Sequence, residues 1–292
     1  IFLHVICFSQ SKLNQFLTPS DSLNISRRNA VIISEVSILG ASLIGLNELW
    51  YNDYERSKFH TINDGSEWLQ MDKFGHAFTS YNIGRVGADL LNWSGVSKKN
   101  QLIYGATLGF TFLSIVEVLD GFSEEWGFSW SDIGANALGT GMYVGQELLW
   151  NEQRIVFKYS FSKSKYAAQR PNTLGKGIFE EPLKDYNGQT YWLSANIHSF
   201  FKESKLPKWL NLAFGYGADG MLTSNNESVD NMFTNQNPIR QYYLSFDVDL
   251  TKIKTNSHVL KTIFSIFNVV KVPLPTVEFN SENGFVFRLF YF

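Results

Sequence analysis

The sequence contains little charge and a single cysteine. Only 18% of its 292 residues are charged, and 25 basic against 27 acidic side chains leave a net charge of −2. This balance argues against a protein that binds nucleic acid by neutralising phosphates. The lone Cys7 excludes a disulfide framework and a thiolate zinc site. Aromatic residues reach 16%, which favours contact with lipid, although a large aromatic core would give the same composition.

The charge is divided unevenly along the chain. Residues 29–151 carry 6 basic and 14 acidic side chains, whereas residues 152–292 carry 16 basic and 12 acidic ones. Opposite charge in two long segments indicates two structural units. We therefore predict a helical domain at 29–151 and a β-rich region at 152–292.

The first residues resemble the end of a secretory leader. Residues 1–10 combine an apolar run with small and polar residues, which predicts the remnant of a signal peptide. Ile6 stands where a lipid-attachment signal needs a small residue, so we expect no lipid on Cys7. Export would place the chain in the cell envelope, with the outer membrane as the expected site. A buried N-terminal strand is the alternative.

Four segments have helical periodicity. The first and third are apolar but near the lower length limit for a bilayer span, so a water-soluble four-helix bundle stays an alternative. The fourth is rich in small residues, which predicts close approach to another helix, and these are Gly134, Ala135, Ala137, Gly139, Gly141 and Gly145. The predicted helices cover approximately 29–51, 70–92, 101–119 and 131–150.

Beyond residue 151 the period becomes that of strands. Apolar and polar residues alternate through 240–250 with a period of two. The glycine-rich segment 215–220 is predicted to be a turn, and 257–271 an amphipathic segment. A terminal Phe on an aromatic strand resembles the assembly signal of outer-membrane proteins, but six strands favour a small sheet on or near a membrane over a closed pore. The strand candidates lie near 155–161, 190–199, 211–217, 240–250, 276–280 and 285–292.

Ionisable side chains in the helical half form the candidate site. Such groups are costly in apolar helices unless they meet each other, water or a cation, so we expect them to converge. One interpretation is a divalent metal ion held by Asp72, His76, Glu117 and Asp132. The others are acid/base catalysis by His76 and a structural polar network. The predicted cluster contains Asp72, His76, Glu117, Asp120, Asp132 and Asn136.

Several motifs together resemble the YfiM-like family of envelope proteins of unknown function, in its longer Bacteroidetes-type form. They are 67–76, Asp120-Gly121, Trp126–Ser129 and the Asp132/Asn136 pair. A more distant similarity is to VanZ-like membrane proteins. The resemblance implies a helical unit in or against a membrane. Its motif positions correspond here to Asp72, Lys73, Gly75, His76, Glu117, Asp132 and Asn136.

The sequence therefore predicts an α+β envelope protein, with a membrane-associated four-helix unit followed by a β-rich segment. The leading hypothesis is a non-enzymatic outer-membrane protein, an accessory or scaffold subunit of an assembly or transport complex. Its expected partners are membrane lipid and other outer-membrane or periplasmic proteins, without nucleic acid. The alternative is a membrane enzyme that acts on a lipid or cell-wall precursor with the Asp72/His76/Glu117/Asp132 cluster.

Overall fold

A computed structural model describes residues 12–51, 54–224 and 235–291. The predicted signal-peptide remnant at 1–10 lies outside these residues. The described residues have an α+β fold with an antiparallel sheet in the C-terminal part, which confirms the predicted class. The chain divides into two compact units. The first comprises Ile1–Asn63, Thr79–Asn151 and Thr255–Phe264, and the second Asp64–Phe78, Glu152–Lys254 and Ser265–Phe292.

The predicted helices are present, with ends that differ by a few residues. The first begins at Ile25 because the Asn24 side chain accepts a hydrogen bond of 3.0 Å from the Arg27 amide, which caps the helix. The third predicted segment starts as a short helix and a π turn before it becomes regular. The four long helices are α1 (Ile25–Leu46), α2 (Met71–Trp93), α3 (Leu108–Asp120) and α4 (Trp130–Trp150).

Close helix approach in the first unit occurs between α2 and the helical segment that ends in α3. A Cβ atom on Gly109 would lie 2.1 Å from the Ser80 carbonyl oxygen, so only glycine fits there. The prediction that the α4 glycines mediate such contact is wrong for three of them. Among the described residues, a Cβ on any of Gly134, Gly141 and Gly145 would meet open space, because α4 buries a different stripe.

Helix α1 has an apolar surface that the described residues leave uncovered. Only Val31 is buried, while Val36 and Ile44 are each 68% exposed. Within the described residues, two helical segments are long and apolar enough to cross a membrane by length and composition. They are Ile25–Leu46 and Lys98–Asp120, with mean hydropathy of 1.7 and 1.8.

The second unit is built on a six-stranded antiparallel sheet in which each strand pairs with its neighbours in the chain. The strand predictions are confirmed, but the turn predicted at 215–220 is wrong. Gly215 lies inside a strand because its missing side chain makes room for the Trp192 ring, 2.7 Å from where a Cβ would stand. The strands are β1 (Ile155–Phe161), β2 (Gln189–Asn196), β3 (Leu210–Asp219), β4 (Ile239–Val248), β5 (Leu274–Asn280) and β6 (Gly284–Tyr291).

The sheet curls, so distant strands meet on its inner side. Tyr291 on β6 donates a hydrogen bond of 2.7 Å to the Tyr243 hydroxyl on β4, and their rings stack at 4.5 Å. The backbone of β1 also pairs with the segment before β5, through the Tyr159 amide and the Val269 carbonyl at 2.9 Å. This curvature gives the sheet an enclosed inner face and a convex outer face.

The two faces differ in where they place charged and apolar side chains, although the inner face also holds the Trp192, Tyr243 and Tyr291 rings. On the inner face, Lys158 and Asp247 form an ion pair of 2.8 Å in which both side chains are completely buried. Glu278 is also enclosed there and binds Arg288 at 2.6 Å. The outer face carries apolar side chains that are 38–79% exposed, namely Leu193, Phe214, Leu244, Phe246, Val277, Phe279, Phe285 and Phe287.

Candidate functional site

The chain enters α2 through three consecutive residues with left-handed backbone. Trp68, Leu69 and Gln70 have φ values of 48°, 50° and 65°, which non-glycine residues rarely adopt. The Leu69 carbonyl accepts hydrogen bonds from Arg240 Nη1, at 2.9 Å, and from the Tyr216 hydroxyl. Strained backbone persists only where its surroundings determine it, and it clusters at functional sites. This turn is therefore a preorganised element that fixes the start of α2.

Asp72, in the first turn of α2, is held by donors from two parts of the second unit. Lys73 Nζ lies 2.6 Å from Asp64 Oδ2 and 3.0 Å from Asp72 Oδ2, and the Tyr186 hydroxyl donates to Asp72 Oδ1 at 2.8 Å. Burial alone would raise the pKa of the Asp72 carboxyl. The charges of His76 and Lys73, with the hydrogen bonds from Lys73 and Tyr186, nevertheless hold this pKa below its ordinary value of 3.8.

His76 lies one turn further along the same face of α2. Its Nε2 atom is 3.8 Å from Asp72 Oδ1, which is too long for a hydrogen bond but close enough for attraction once the imidazole is protonated. The side chain is 16% exposed. Gly75 between them is required by space, since a Cβ there would lie 2.9 Å from the Tyr191 hydroxyl. Asp72 and His76 thus lie close together on α2, where the Tyr186 hydroxyl binds Asp72 and the Tyr191 hydroxyl lies beside Gly75.

In the first unit, Glu117 and Asp132 share a connection through Ser129. Glu117 Oε2 accepts a hydrogen bond of 3.1 Å from the Ser129 amide, and Ser129 Oγ accepts one of 3.2 Å from the Asp132 amide. Glu117 and Asp132 are 1% and 4% exposed. Ser129 is the N-cap of α4, so the buried Glu117 carboxylate stabilises the entry of the chain into this helix.

The other two predicted site residues also lie in the first unit. Asp120, the last residue of α3, accepts a hydrogen bond from the Tyr51 hydroxyl. Asn136 is completely buried on α4, and its backbone carbonyl accepts a bond of 2.8 Å from Ser80 Oγ on α2. Both residues thus have defined positions in the packing of the helices.

Sequence reasoning missed the groups that the β-rich part supplies to the site. Tyr186 is 114 residues from its acceptor Asp72, and Arg240 is 171 residues from the Leu69 carbonyl. Neither lies in a motif, and only the fold brings them to α2. The aromatic abundance of the tail was the one available signal.

The arrangement around Asp72 has two chemical capacities. A carboxylate beside an imidazole is suited to proton transfer and supplies two ligand types that divalent ions accept. Lys73 already occupies Asp72 Oδ2, however, so a cation at this carboxylate would have to use Oδ1, which faces His76 and Tyr186. The divalent ion held by Asp72, His76, Glu117 and Asp132 stays a prediction.

Residues 61–146 match a family described as "Predicted periplasmic lipoprotein (DUF2279)". Neither curated proteins nor solved structures give a significant match. The matched segment contains all six predicted site residues and ends before the sheet. The match supports an envelope protein of unknown function, whereas the YfiM-like and VanZ-like resemblances stay predictions.

Proposed function

We propose that this chain is a membrane-seated, non-enzymatic protein of the cell envelope, located in the outer membrane. In this proposal it serves as an accessory or scaffold subunit of an assembly or transport complex. The observation that carries the proposal is the polarity of the curled sheet, which encloses an ion pair and turns aromatic side chains outward.

This polarity is unfavourable in water. Phe214, Phe246 and Phe285 are 54%, 51% and 79% exposed on one continuous face, whereas soluble monomers rarely expose apolar patches above a few hundred Å². Burying a large apolar side chain contributes about 1.5 to 3 kcal/mol, so a lipid or protein cover over this face would be strongly favourable. Alternation with apolar residues outward and polar residues inward is typical of sheets that contact lipid.

The helical unit supports the same location independently. Helix α1 exposes Ile33, Val36 and Ile38 to at least 64%, and its length and hydropathy suit a bilayer. An apolar helix with almost no buried surface contributes little to a soluble core. Lipid around α1 would remove the cost of this exposed surface.

The scaffold role is supported by the bonds of the polar groups. Lys73 joins two carboxylates, and the Tyr186 hydroxyl ties the start of α2 to the segment before β2. Glu117 supports the capping residue of α4. These bonds fix helix ends and chain entry, which is the role of a polar network that organises a fold.

Fractionation of cells that express the full chain tests the location. We expect the protein to stay in outer membranes washed with alkaline carbonate, and the double variant Phe214→Asn/Phe246→Asn to be partly released. Phe179→Asn is the matched control, since Phe179 is 82% exposed but lies on a short helix outside the sheet. A chain that runs as a monomer without detergent would overturn the proposal.

Proteins that co-purify from the detergent extract test the scaffold role. Stable partners in stoichiometric amounts, identified by mass spectrometry, are the expected result. A lone protein, together with an unchanged outer-membrane proteome after deletion, would contradict the scaffold role while leaving the membrane location intact.

A second candidate function is a membrane enzyme that acts on a lipid or cell-wall precursor. It is favoured by the strained turn at 68–70 and by the partly exposed His76 beside Asp72. His76→Ala should then abolish activity at unchanged abundance, and a divalent ion, if bound, should be lost with it. His60→Ala is the control, a substitution at another histidine. A fall in abundance alone would make His76 structural.

A further inference from the structure

One end of the curled sheet combines exposed lysines with exposed aromatic residues. In an antiparallel meander, alternate connections lie at the same end, which joins the β2–β3 connection (197–209) to the β4–β5 connection (249–273). Contacts confirm this placement. The Asp249 amide donates to the Trp209 carbonyl at 2.8 Å, and Glu152 binds Lys202 at 3.4 Å and Lys252 at 3.3 Å.

Three further lysines at this end are exposed. Lys205 and Lys208 lie in the first connection and Lys254 in the second. In the described part of the chain, none of the three forms an ion pair with a carboxylate, unlike Lys202 and Lys252. Their charges therefore face solvent and outnumber the exposed Glu203 in the first connection, so this end has a net positive surface.

The same two connections also expose apolar side chains. Phe201 is 68% exposed in the first connection, and Ile266 and Phe267 are 59% and 60% exposed in the second. Asn268 fixes the second group, because its amide donates to Asp249 Oδ1 at 3.1 Å and its Oδ1 accepts from the Leu250 amide at 2.9 Å. Exposed aromatic residues among basic ones are typical of segments that enter the headgroup region of a membrane.

We infer that this end of the sheet, which we call the basic rim, binds the phosphate headgroups of anionic phospholipid. The lysine ammonium groups contact the phosphates, and Phe201 and Phe267 insert below them. The inference rests on the proposed membrane location and adds a lipid preference to it. An anionic surface attracts each nearby lysine by about 1 kcal/mol, or approximately fivefold in binding, and this attraction weakens with salt.

Binding of the purified full chain to vesicles tests the basic rim. Vesicles of phosphatidylcholine are compared with vesicles that also contain phosphatidylglycerol. The variant Lys205→Gln/Lys208→Gln/Lys254→Gln should reduce the preference for the anionic vesicles by about tenfold or more. The control is Lys163→Gln/Lys165→Gln/Lys176→Gln, which removes equal charge from exposed positions in the β1–β2 connection and should leave the preference within about twofold.

The remaining arms separate a lipid surface from a phosphate site and from the proposed function. Phe201→Ser/Phe267→Ser should weaken binding to both vesicles and leave their ratio unchanged. Equal losses in the rim and control variants, or release by inorganic phosphate at constant ionic strength, would overturn the inference. Failure of the membrane location would instead appear as loss of wild-type protein from carbonate-washed membranes, whatever its lipid preference.

Discussion

The ion pair inside the curled sheet gives the most direct test of the sheet's polarity. Lys158 Nζ lies 2.8 Å from Asp247 Oδ2 and donates another bond of 2.7 Å to the Val248 carbonyl. Lys158→Met keeps most of the side-chain volume and removes the charge. Asp247 would then lose its nearest counter-charge and keep only the charge of Lys271, which is also completely buried and interacts with Asp247. Removing one partner of a buried pair costs about 3 to 5 kcal/mol in free energy of unfolding.

Other contacts of Asp247 place the expected cost at the lower end of that range, about 3 kcal/mol. Its carboxylate still accepts bonds of 2.6 Å from Ser194 Oγ and 3.0 Å from the Val272 amide. Adding Asp247→Asn to Lys158→Met removes the remaining carboxylate charge and keeps an amide that can bond to both groups. Lys271 then lacks the carboxylate, but burial already lowers its pKa to about 8, so it can become neutral, and we expect the double variant to regain part of the lost stability.

Urea unfolding in mild detergent, followed by tryptophan fluorescence, measures these changes because Trp192 lies in the sheet interior. Lys202→Met is the matched control, since Lys202 is 58% exposed and 3.4 Å from Glu152. It should cost no more than about 1 kcal/mol. If Lys158→Met costs as little as this control, or if the two substitutions are additive, the reasoning about an enclosed charged face is refuted.

Three further predictions concern the helices. Gly109→Val should push α2 and α3 apart, because its Cβ would overlap the Ser80 carbonyl. We expect thermal unfolding to show a free energy of unfolding that is lower by about 1 to 3 kcal/mol. Ser129→Ala should cost about 1 kcal/mol by the same measurement through the lost α4 cap, with Ser37→Ala, at an exposed position of α1, as control. The pKa of Asp72 is lowered on folding, so its stabilisation is present above its ordinary value of 3.8 and disappears as the pH falls through the folded value. Acid unfolding followed by circular dichroism should therefore be less steep in Asp72→Asn than in wild type; an identical slope would contradict the ion pair.

Helices and strands were predictable because periodicity along the chain reports local geometry. The alternation in 155–161 matches β1, and the four predicted helical segments are helical, although the third begins as a short helix and a π turn before α3. Glycines were harder to interpret. Gly109 and Gly215 are required by close neighbours, whereas Gly134 is not, and composition alone does not show which glycine faces another chain segment.

Only the part of the candidate site formed by residues close together in the sequence was predictable. A spacing of four places Asp72 and His76 on one face of a helix whatever the rest of the chain does. Tyr186 and Arg240 reach the same turn through the fold, and tertiary contacts of this kind have no periodic signal in a single sequence. The left-handed turn at 68–70 is likewise hidden, since its residues are ordinary and the contacts that hold them are distant.

Alternation also does not show whether the apolar side of a strand faces the interior or the exterior of the sheet. Strand β4 alternates Leu244 and Phe246 with Ser245 and Asp247, a pattern that would suit a sheet with an apolar core in water. The structure has the opposite arrangement. Leu244 and Phe246 are 44% and 51% exposed, while Ser245 and Asp247 are buried. Lys158 neutralises Asp247 inside, and the proposed lipid cover of the phenylalanine outside would make this arrangement favourable. The stability of the enclosed pair and the release of the outward-phenylalanine variant from membranes therefore test the two halves of one arrangement.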